Sequence, residues 1–419
     1  MTETPSSGEL VELGRRARSA SRVLATSSAS ARDAALLGAA DLLEDRAAEL
    51  LEANATDVTR AAGAGTPATV IDRLRLSEAR VAGMAGGLRK VAALPDPVGE
   101  VTEGWVRPNG LRVSRVRVPL GVVGIIYENR PNVTSDAAGL CVKSGNAAFL
   151  RGSSAAISSN VAIAGLLREA AAKAGLPEDS VILVTDTSRE GAVAFMQLRG
   201  LIDCLIPRGS ASLVATVVEN ARVPFVIDGD GNCHVYVDAS ANMDMAAAII
   251  TNAKCQRPSV CNAAETLLVH RAVAAALVPR LPEILPGVEL VGDAAVCSAL
   301  PEVAAATEDD WATEFLSLKM SVRVVDDIGE AIEHVARYGS GHSEAIVTTE
   351  VAAAERWCAE VDAAAVLVNA STRFVDGEEL GLGAEIGIST QRLHARGPMG
   401  LRELTTLKYV IRGDGQVRA

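Results

Sequence analysis

Apolar residues in the first quarter of the chain recur at the three- and four-residue spacing of helices. One such stretch opens at Ser30-x-x-Asp33 and continues through Leu36, Leu37, Ala40, Leu42 and Leu43. Ser77 can cap another, which runs through Val81, Met84, Leu88 and Val91. This spacing predicts helices over residues 7–95 that form a layer covering a sheet.

The spacing changes to an alternation of two between Trp105 and Val118. Asn109-Gly110 is typical of a tight hairpin turn. The returning strand alternates Val113, Arg115 and Arg117 with Arg112, Ser114 and Val116. Arginines on a two-stranded arm indicate contact with another subunit, because an isolated hairpin is marginal in water. A solvated charged edge explains them equally well.

Short apolar runs alternate with helical runs between residues 120 and 237. We expect a helix from Ser154 to Ala174 that closes at Gly175. The expected strands are 121–126, 147–150, 181–184, 201–206 and 225–227. This alternation predicts a doubly wound parallel sheet, which binds ligands beyond the carboxyl ends of its strands.

A second α/β unit follows the flexible segment Asp228-Gly-Asp-Gly-Asn232, where we place a domain boundary. Its expected strands are 266–269, 289–291, 321–325, 344–347 and 365–369, and a last strand covers 407–411. The expected organisation is a first domain of residues 1–104 and 119–228, a small β arm of 105–118 with 402–419, and a second domain of 229–401.

Composition and charge exclude several classes of partner and of site. Lys and Arg number 40 against 52 for Asp and Glu, which argues against nucleic acid or an anionic membrane as the main partner. No apolar run reaches the roughly 18 residues of a membrane helix, and the N-terminus lacks the pattern of a signal peptide. Seven cysteines without a CxxC pair argue against a disulfide scaffold and a structural zinc site. We therefore expect a cytoplasmic protein without a metal site.

Two expected strand ends carry residues that can hold a phosphate. Leu150-Arg-Gly-Ser-Ser154 ends one strand and opens a helix, and Pro207-Arg-Gly-Ser210 repeats this arrangement. Backbone amides, hydroxyls and Arg151 are suitable donors there. A GxGxxG fingerprint is absent, so these residues leave open whether the ligand is a dinucleotide or another phosphate.

Cys261 is the strongest candidate for a nucleophile. It falls in the turn between a helical run, broken by Pro258, and the apolar run 266–270. Lys254 and Arg257 are cationic neighbours in sequence that can favour the reactive thiolate. Cys255 lies within the helical run and is expected to be packed and inert.

Six separated segments of the chain resemble the γ-glutamyl phosphate reductase family of the aldehyde dehydrogenase superfamily. They stand in the family's order and together span nearly the whole chain. The segments are Gly121–Val133, Lys143-Ser-Gly-Asn146, Gly231–Asp238, Cys261–Val269, Thr313-Glu-Phe315 and Arg396–Leu401.

The resemblance implies an aldehyde dehydrogenase-like α/β fold, in which the first domain binds NADPH, the second is catalytic and the β arm mediates oligomerisation. It implies reduction of L-glutamyl 5-phosphate to L-glutamate 5-semialdehyde and phosphate, the second step of proline biosynthesis from glutamate. A homo-oligomer and a functional association with glutamate 5-kinase are also implied.

The resemblance assigns roles to individual residues. Cys261, as thiolate, attacks the acyl phosphate, and the side chain of Asn132 with the Cys261 amide holds the oxyanion. Arg130 and Arg257 meet the substrate's carboxylates or phosphate. The cofactor contacts implied are Arg151 and Ser153 at the adenosine ribose and its phosphate, Arg208, Gly209 and Ser210 near the pyrophosphate and nicotinamide, and Glu314 and Phe315 at the nicotinamide ribose.

One departure from hydrolytic aldehyde dehydrogenases is informative. Ile227–Gly231 stands where those enzymes carry a glutamate that activates water, which favours phosphate chemistry over hydrolysis, although Asp228 or Asp230 can substitute. Alternatives remain open: a semialdehyde dehydrogenase that makes a free acid, and a Cys-His hydrolase or acyltransferase using Cys261 with His270 or His234. A scaffold without activity is the non-enzymatic alternative. We expect His234 to be structural rather than a general base.

Overall fold

The computed structural model describes residues 7–418. The chain divides into two compact units. The first comprises the residues through Ile227, together with Leu382–Gly387 and the residues from Met399 onward. The second comprises Asp228–Gly381 and Ile388–Pro398.

The first unit begins with the predicted helical layer. Its helices are α1 (Ser7–Leu24), α2 (Ala29–Asp45), α3 (Ala47–Gly63), α4 (Ala68–Leu74) and α5 (Glu78–Ala93). Ser77 caps α5, as predicted, by accepting the Arg80 amide. The cap of α2 is Ser28 rather than Ser30, because Ser28 is the last residue with extended backbone and accepts the Ala31 amide. The prediction placed this helix start two residues late.

A parallel four-stranded sheet forms the centre of the first unit, with the order β5-β4-β3-β6. Its elements are β3 (Val122–Tyr127), α6 (Asn132–Lys143), β4 (Ala147–Gly152), α7 (Ile157–Lys173), β5 (Val181–Leu183), α8 (Arg189–Met196), β6 (Cys204–Arg208) and α9 (Ala211–Asn220). Strands β3 and β4 are buried along their whole length. The predicted parallel sheet is confirmed, and its carboxyl ends are candidate ligand positions.

The run 225–227 does not form the predicted strand. Phe225 makes one isolated bridge with Leu205, and Val226 donates to the same residue's carbonyl. The glycine-rich segment that begins at Asp228 follows at once, so the pairing does not extend.

The second unit contains a seven-stranded parallel sheet with the order β10-β9-β11-β8-β7-β12-β13. The strands are β7 (Cys233–Val237), β8 (Ala264–His270), β9 (Glu289–Gly292), β10 (Ala304–Ala305), β11 (Lys319–Val325), β12 (Ser343–Val347) and β13 (Ala365–Val368). The helices are α10 (Met243–Cys255), α11 (Arg271–Leu277), α12 (Leu281–Ile284), α13 (Ala294–Ala299), α14 (Glu308–Ala312), α15 (Ile328–Tyr338) and α16 (Val351–Glu360). All five strands predicted here are present, and a pair of two-residue strands, β14 (Ile388–Ser389) and β15 (Gly397–Pro398), accompanies them.

A separate antiparallel sheet combines two strands that precede β3 with one strand near the C-terminus. Strands β1 (Val101–Val106) and β2 (Arg112–Pro119) form the predicted hairpin, and Gly110 takes the positive φ that its turn requires. Strand β16 (Thr405–Arg412) pairs with β2 along its whole length. The three-stranded sheet is thus more than a hairpin, which gives it enough strands for independent stability.

No helix within residues 7–418 combines the length and apolar composition needed to cross a membrane.

Candidate active site

Cys261 lies in the turn between α10 and β8, as the sequence predicts. It is partly exposed, whereas the strand that follows is buried. A rigid helix and a central strand therefore hold both ends of a short turn that presents the thiol.

Two residues at the start of β7 pack against the backbone of Cys261. A Cβ at Gly231 would overlap the carbonyl oxygen of Cys261, so only glycine fits there. The Cys233 thiol donates to the same oxygen over 3.1 Å. Burial raises the pKa of the Cys233 thiol well above its usual value, so it keeps the proton that this hydrogen bond needs. The position of the turn is thereby fixed from the neighbouring strand.

Of the two cationic neighbours that the sequence predicted for Cys261, Lys254 is not available to the thiol. Lys254 is fully buried and pairs with Glu265, with 2.5 Å between Nζ and Oε2. The expectation that its ammonium favours the Cys261 thiolate is wrong, because the Glu265 carboxylate already balances that charge. Cys255 packs against the core, and burial raises its pKa, which agrees with an inert thiol.

Arg373 is a cation near the nucleophile that the sequence did not reveal. Its segment is tied to the turn after Cys261, because Thr372 Oγ1 donates to the Asn262 carbonyl over 2.6 Å. Partial burial lowers the pKa of Arg373, and the like charge of Arg257 adds to this effect. The two guanidinium groups thus form a positive site beside the thiol. Over 100 residues separate them in sequence, and no motif marks Arg373.

Glu314, Phe315 and Leu316 form a short segment before β11 that is fixed at two points. Glu314 Oε1 accepts the Gly231 amide over 2.9 Å, and Glu265 Oε1 accepts the Leu316 amide over 3.1 Å. Burial raises the pKa of Glu314. Of the two predicted cofactor residues in this segment, Glu314 therefore contacts Gly231, which packs against Cys261, and the Phe315 ring lies against Lys319.

The predicted cofactor residues of the first unit lie at the carboxyl ends of β4 and β6. Ser153 Oγ accepts the Asn129 amide over 3.3 Å, and Arg208 accepts the Glu128 amide over 3.1 Å through its carbonyl. A Cβ at Gly209 would meet the Glu128 carboxylate. The structure therefore brings Ser153, Arg208 and Gly209 to one edge of the sheet.

Ser210 begins the ten-residue helix α9, and its amide donates to Glu128 Oε2 over 2.8 Å. The start of this helix thus already binds an anionic oxygen, the kind of group that a nucleotide phosphate offers. The sequence analysis overlooked Glu128, although it directly follows β3. Binding of a cofactor phosphate at these strand ends stays a prediction, because the Glu128 carboxylate occupies this helix start.

Arg151, which is expected at the adenosine ribose and its phosphate, is buried at the end of β4. It is 6% exposed, donates to the Ser188 carbonyl and has an Nε without a partner. Burial lowers its pKa. In this arrangement its guanidinium stabilises the loop after β5, and a role at a phosphate stays a prediction.

Asn132 begins α6, and its side-chain amide donates to Asp136 Oδ2 over 2.8 Å. Burial raises the pKa of Asp136 to about 6, against the opposing effect of Asn132, Ser135 and Arg208. Arg130 lies two residues before Asn132, in the loop that links β3 to α6. The hydrogen bond that orients the Asn132 amide thus depends on the protonation state of the Asp136 carboxyl group.

The histidines do not supply the Cys-His pair of the hydrolase alternative. His234 is fully buried and pairs through Nδ1 with Glu344 over 2.9 Å, which agrees with a structural role. His270 ends β8 and caps α11 by accepting the Ala272 amide. It is separated from Cys261 by that seven-residue strand, roughly 20 Å in extended conformation. Among residues 7–418, no three His, Cys, Asp or Glu side chains are grouped to hold a metal ion.

Comparison with known proteins gives consistent results. Residues 7–295 match the sequence profile of the aldehyde dehydrogenase family, whose members use NAD or NADP. The gamma-glutamyl phosphate reductase of Caldanaerobacter subterraneus subsp. tengcongensis is 53% identical over 406 residues, which cover 96% of this chain and 98% of that protein. The enzyme of the same name from Thermobifida fusca is 54% identical over 409 residues, or 97% and 98% of the two chains.

Solved structures agree. The gamma-glutamyl phosphate reductase of Thermotoga maritima superposes with a TM-score of 0.97 at 47% identity and covers 98% of this chain and 100% of that chain. An acetylating aldehyde dehydrogenase from Geobacillus thermoglucosidasius shares the fold at a TM-score of 0.70 and 18% identity, over 99% and 98% of the two chains. The chain therefore belongs to the γ-glutamyl phosphate reductase family, within the aldehyde dehydrogenase family.

Proposed function

We propose that this chain reduces L-glutamyl 5-phosphate with NADPH to L-glutamate 5-semialdehyde and phosphate, through a thioester on Cys261. The observation that carries the proposal is the turn of Cys261, held by Gly231 and Cys233, in a chain 53% identical to a gamma-glutamyl phosphate reductase over 96% of its length. This reaction is the second step in making proline from glutamate.

In the first step, the Cys261 thiolate attacks the acyl carbon, the C–O bond to the phosphoryl group breaks, and inorganic phosphate leaves with the electron pair. The positive site of Arg257 and Arg373 suits the anionic groups of such a substrate, because it supplies two guanidinium groups near the thiol. The Cys261 amide and the Asn132 side chain are the proposed oxyanion donors, and Arg130 is a further proposed ligand of the substrate's carboxylate.

When bound, the nicotinamide cofactor supplies the hydride that reduces the thioester carbon to the thiohemiacetal. Glu314 and Phe315 are proposed to hold the ribose at the reacting end. At the other end, the amides and hydroxyls of Ser153, Gly209 and Ser210 are suited to the phosphates, and the proposed basic contacts are Arg151 and Arg208. Collapse of the thiohemiacetal then releases the aldehyde and regenerates the Cys261 thiolate.

The segment Ile227–Gly231 bears on the competition between water and phosphate for the thioester. Asp228 accepts the Ile388 amide over 2.7 Å and so has a structural partner. With no glutamate in this segment, activation of water at the thioester is expected to be weak. Phosphate is then the favoured acyl acceptor in the reverse direction.

The three-stranded sheet of β1, β2 and β16 is the proposed site of homo-oligomer contact. Its exposed side includes Tyr409 and Ile411, large apolar residues on β16, which is an edge strand of this sheet in the part of the chain that the structure describes. A functional association with glutamate 5-kinase is proposed because an acyl phosphate is a reactive intermediate that benefits from direct transfer.

The test is the rate of NADP reduction with glutamate 5-semialdehyde, with and without inorganic phosphate, for wild type and Cys261→Ala. We expect reduction that depends on phosphate and falls at least about 1,000-fold in the variant, because a nucleophile is removed. Cys255→Ala is the matched control and keeps the wild-type rate. Reduction independent of phosphate would identify a hydrolytic dehydrogenase instead, and activity that survives in Cys261→Ala would overturn the mechanism.

A further inference from the structure

The second unit contains a buried ion pair that the proposed mechanism does not use. Lys254 is the penultimate residue of α10, and Glu265 is the second residue of β8; both are fully buried. Their charged atoms are 2.5 Å apart. Because burying two charges costs free energy that their attraction barely returns, stability alone is a weak reason for such a pair.

The second oxygen of Glu265 has a specific partner. Its Oε1 accepts the backbone amide of Leu316 over 3.1 Å. Leu316 has φ of 52°, in the left-handed region that residues with a side chain rarely adopt. Its own side chain is 43% exposed and therefore contributes little to holding this conformation. The hydrogen bond that the Leu316 amide donates to the buried Glu265 carboxylate stabilises this conformation.

This strained residue directly follows the proposed ribose-binding pair. Glu314 is fixed on its other side by the Gly231 amide, and Gly231 in turn lies against the Cys261 carbonyl. Glu265 lies four residues after Cys261 in the same turn and strand. The segment 314–316 thus contacts Gly231, which packs against Cys261, and Glu265, which follows Cys261 along the chain.

We propose that Lys254 and Glu265 form a positioning pair that fixes the segment 314–316 relative to Cys261. The inference rests on the proposed function, in which Glu314 and Phe315 hold the nicotinamide end of the cofactor. Glu265 supplies the acceptor for the Leu316 amide, and Lys254 keeps that acceptor oriented and compensates its charge. The pair therefore affects nucleotide binding and hydride transfer, and leaves the intrinsic reactivity of the Cys261 thiol unchanged.

Two double variants separate the hydrogen bond from the charges. Lys254→Met/Glu265→Gln and Lys254→Met/Glu265→Met are both neutral and similar in volume, but only the first retains an acceptor for the Leu316 amide. For each variant we measure the rate at which iodoacetamide alkylates Cys261 without cofactor and the Kd for NADPH by nucleotide fluorescence. We also measure kcat for oxidation of the semialdehyde and its primary isotope effect, using semialdehyde with deuterium on the aldehyde carbon.

We expect the glutamine variant to stay within about five-fold of wild type in kcat and Kd. The methionine variant is expected to bind NADPH at least about ten-fold more weakly and to show a lower kcat with a larger isotope effect, because hydride transfer becomes limiting. In both variants we expect iodoacetamide to alkylate Cys261 at the wild-type rate. Equal behaviour of the two variants in Kd and isotope effect would overturn the proposal.

A second pair of variants avoids the core, in case the methionine variant does not fold. Leu316→Val places a β-branched residue in the left-handed region, whereas Leu316→Asn places one that tolerates it. We expect the valine variant to reproduce the weaker NADPH binding and larger isotope effect, and the asparagine variant to match wild type. A valine variant with wild-type Kd and isotope effect contradicts the inference. Failure of the proposed function is distinct, since wild type itself would then show no phosphate-dependent reduction.

Discussion

The position of the Cys261 turn depends on Gly231, a residue without a side chain. Gly231 lies so close to the Cys261 carbonyl that a methyl group cannot be placed there without moving backbone. We expect Gly231→Ala to displace the nucleophile turn, to lower kcat/KM at least about 100-fold, and to lower the free energy of unfolding by about 1–3 kcal/mol. Steady-state kinetics and urea unfolding measure the two effects.

The matched control for this substitution is Gly83→Ala, at a helical position where nothing lies within 4 Å of the new Cβ. The same chemical change there leaves kcat/KM at the wild-type value. A Gly231→Ala enzyme with wild-type kinetics would show that the close packing against Cys261 has no role in catalysis.

Asp136 gives stability a dependence on pH. Its pKa is about 6 in the folded chain, raised by burial from the ordinary 3.8. The protonated carboxyl is favoured by folding, so its contribution is fully present below about pH 3.8 and is lost as the pH rises through about 6. Asp136→Asn mimics the protonated form, and we expect its free energy of unfolding to gain about 1–3 kcal/mol on wild type between pH 4.5 and 7.5.

Urea unfolding at both pH values provides the measurement for Asp136→Asn. The control is Asp45→Asn, which makes the same change at an exposed position at the end of α2. A constant difference between wild type and Asp136→Asn across this range would show that the carboxyl group is already ionised at pH 4.5.

The sequence predicted the turn that presents Cys261 but only part of its surroundings. The turn was predictable because Pro258 and the apolar run after it define it by local rules. Cys233 and Arg373 come near it through tertiary packing, which no spacing along the chain encodes. Lys254 shows the limit most clearly, since a lysine seven residues before Cys261 in sequence is buried and paired with Glu265 in the structure.

At the scale of elements, helix α5 offers a test of local propensity. Gly83 lies in its interior, is exposed, and has open space where a side chain would stand. Glycine in a helix interior costs about 0.5–1 kcal/mol relative to alanine. We therefore expect Gly83→Ala to raise the free energy of unfolding by about that amount in urea. An unchanged or lower value would indicate that the helix layer does not unfold with the rest of the first unit.

Elements with a long periodic pattern were predictable, and short ones were not. The parallel strands β3, β4 and β8 each contain a run of at least three apolar residues, so their existence and direction followed from alternation with helices. The two-residue strands β10, β14 and β15 carry too few residues to show any period. The run 225–227 has strand composition, but its pairing ends where glycines begin, and composition alone cannot report where a partner is lacking.

At the scale of the whole molecule, the open question is how copies associate. The formal net charge of −12 opposes association unless an apolar surface compensates it. Strand β16 offers such a surface, because within residues 7–418 it is an edge strand of its sheet and Ile411 is 59% exposed beside Tyr409. Burial of these side chains against a second copy is the hypothesis that the three-stranded sheet supports.

Ile411→Asp tests this hypothesis by placing a charge on the exposed side of β16. We expect light scattering to show an oligomer for wild type and a smaller species for the variant, because burying an unpaired carboxylate costs several kcal/mol. Val351→Asp is the matched control: it adds the same charge at a side chain that is 75% exposed at the start of α16, where an acidic residue is favourable. A wild-type monomer, or an Ile411→Asp protein with the wild-type mass, would place the contact elsewhere or remove it.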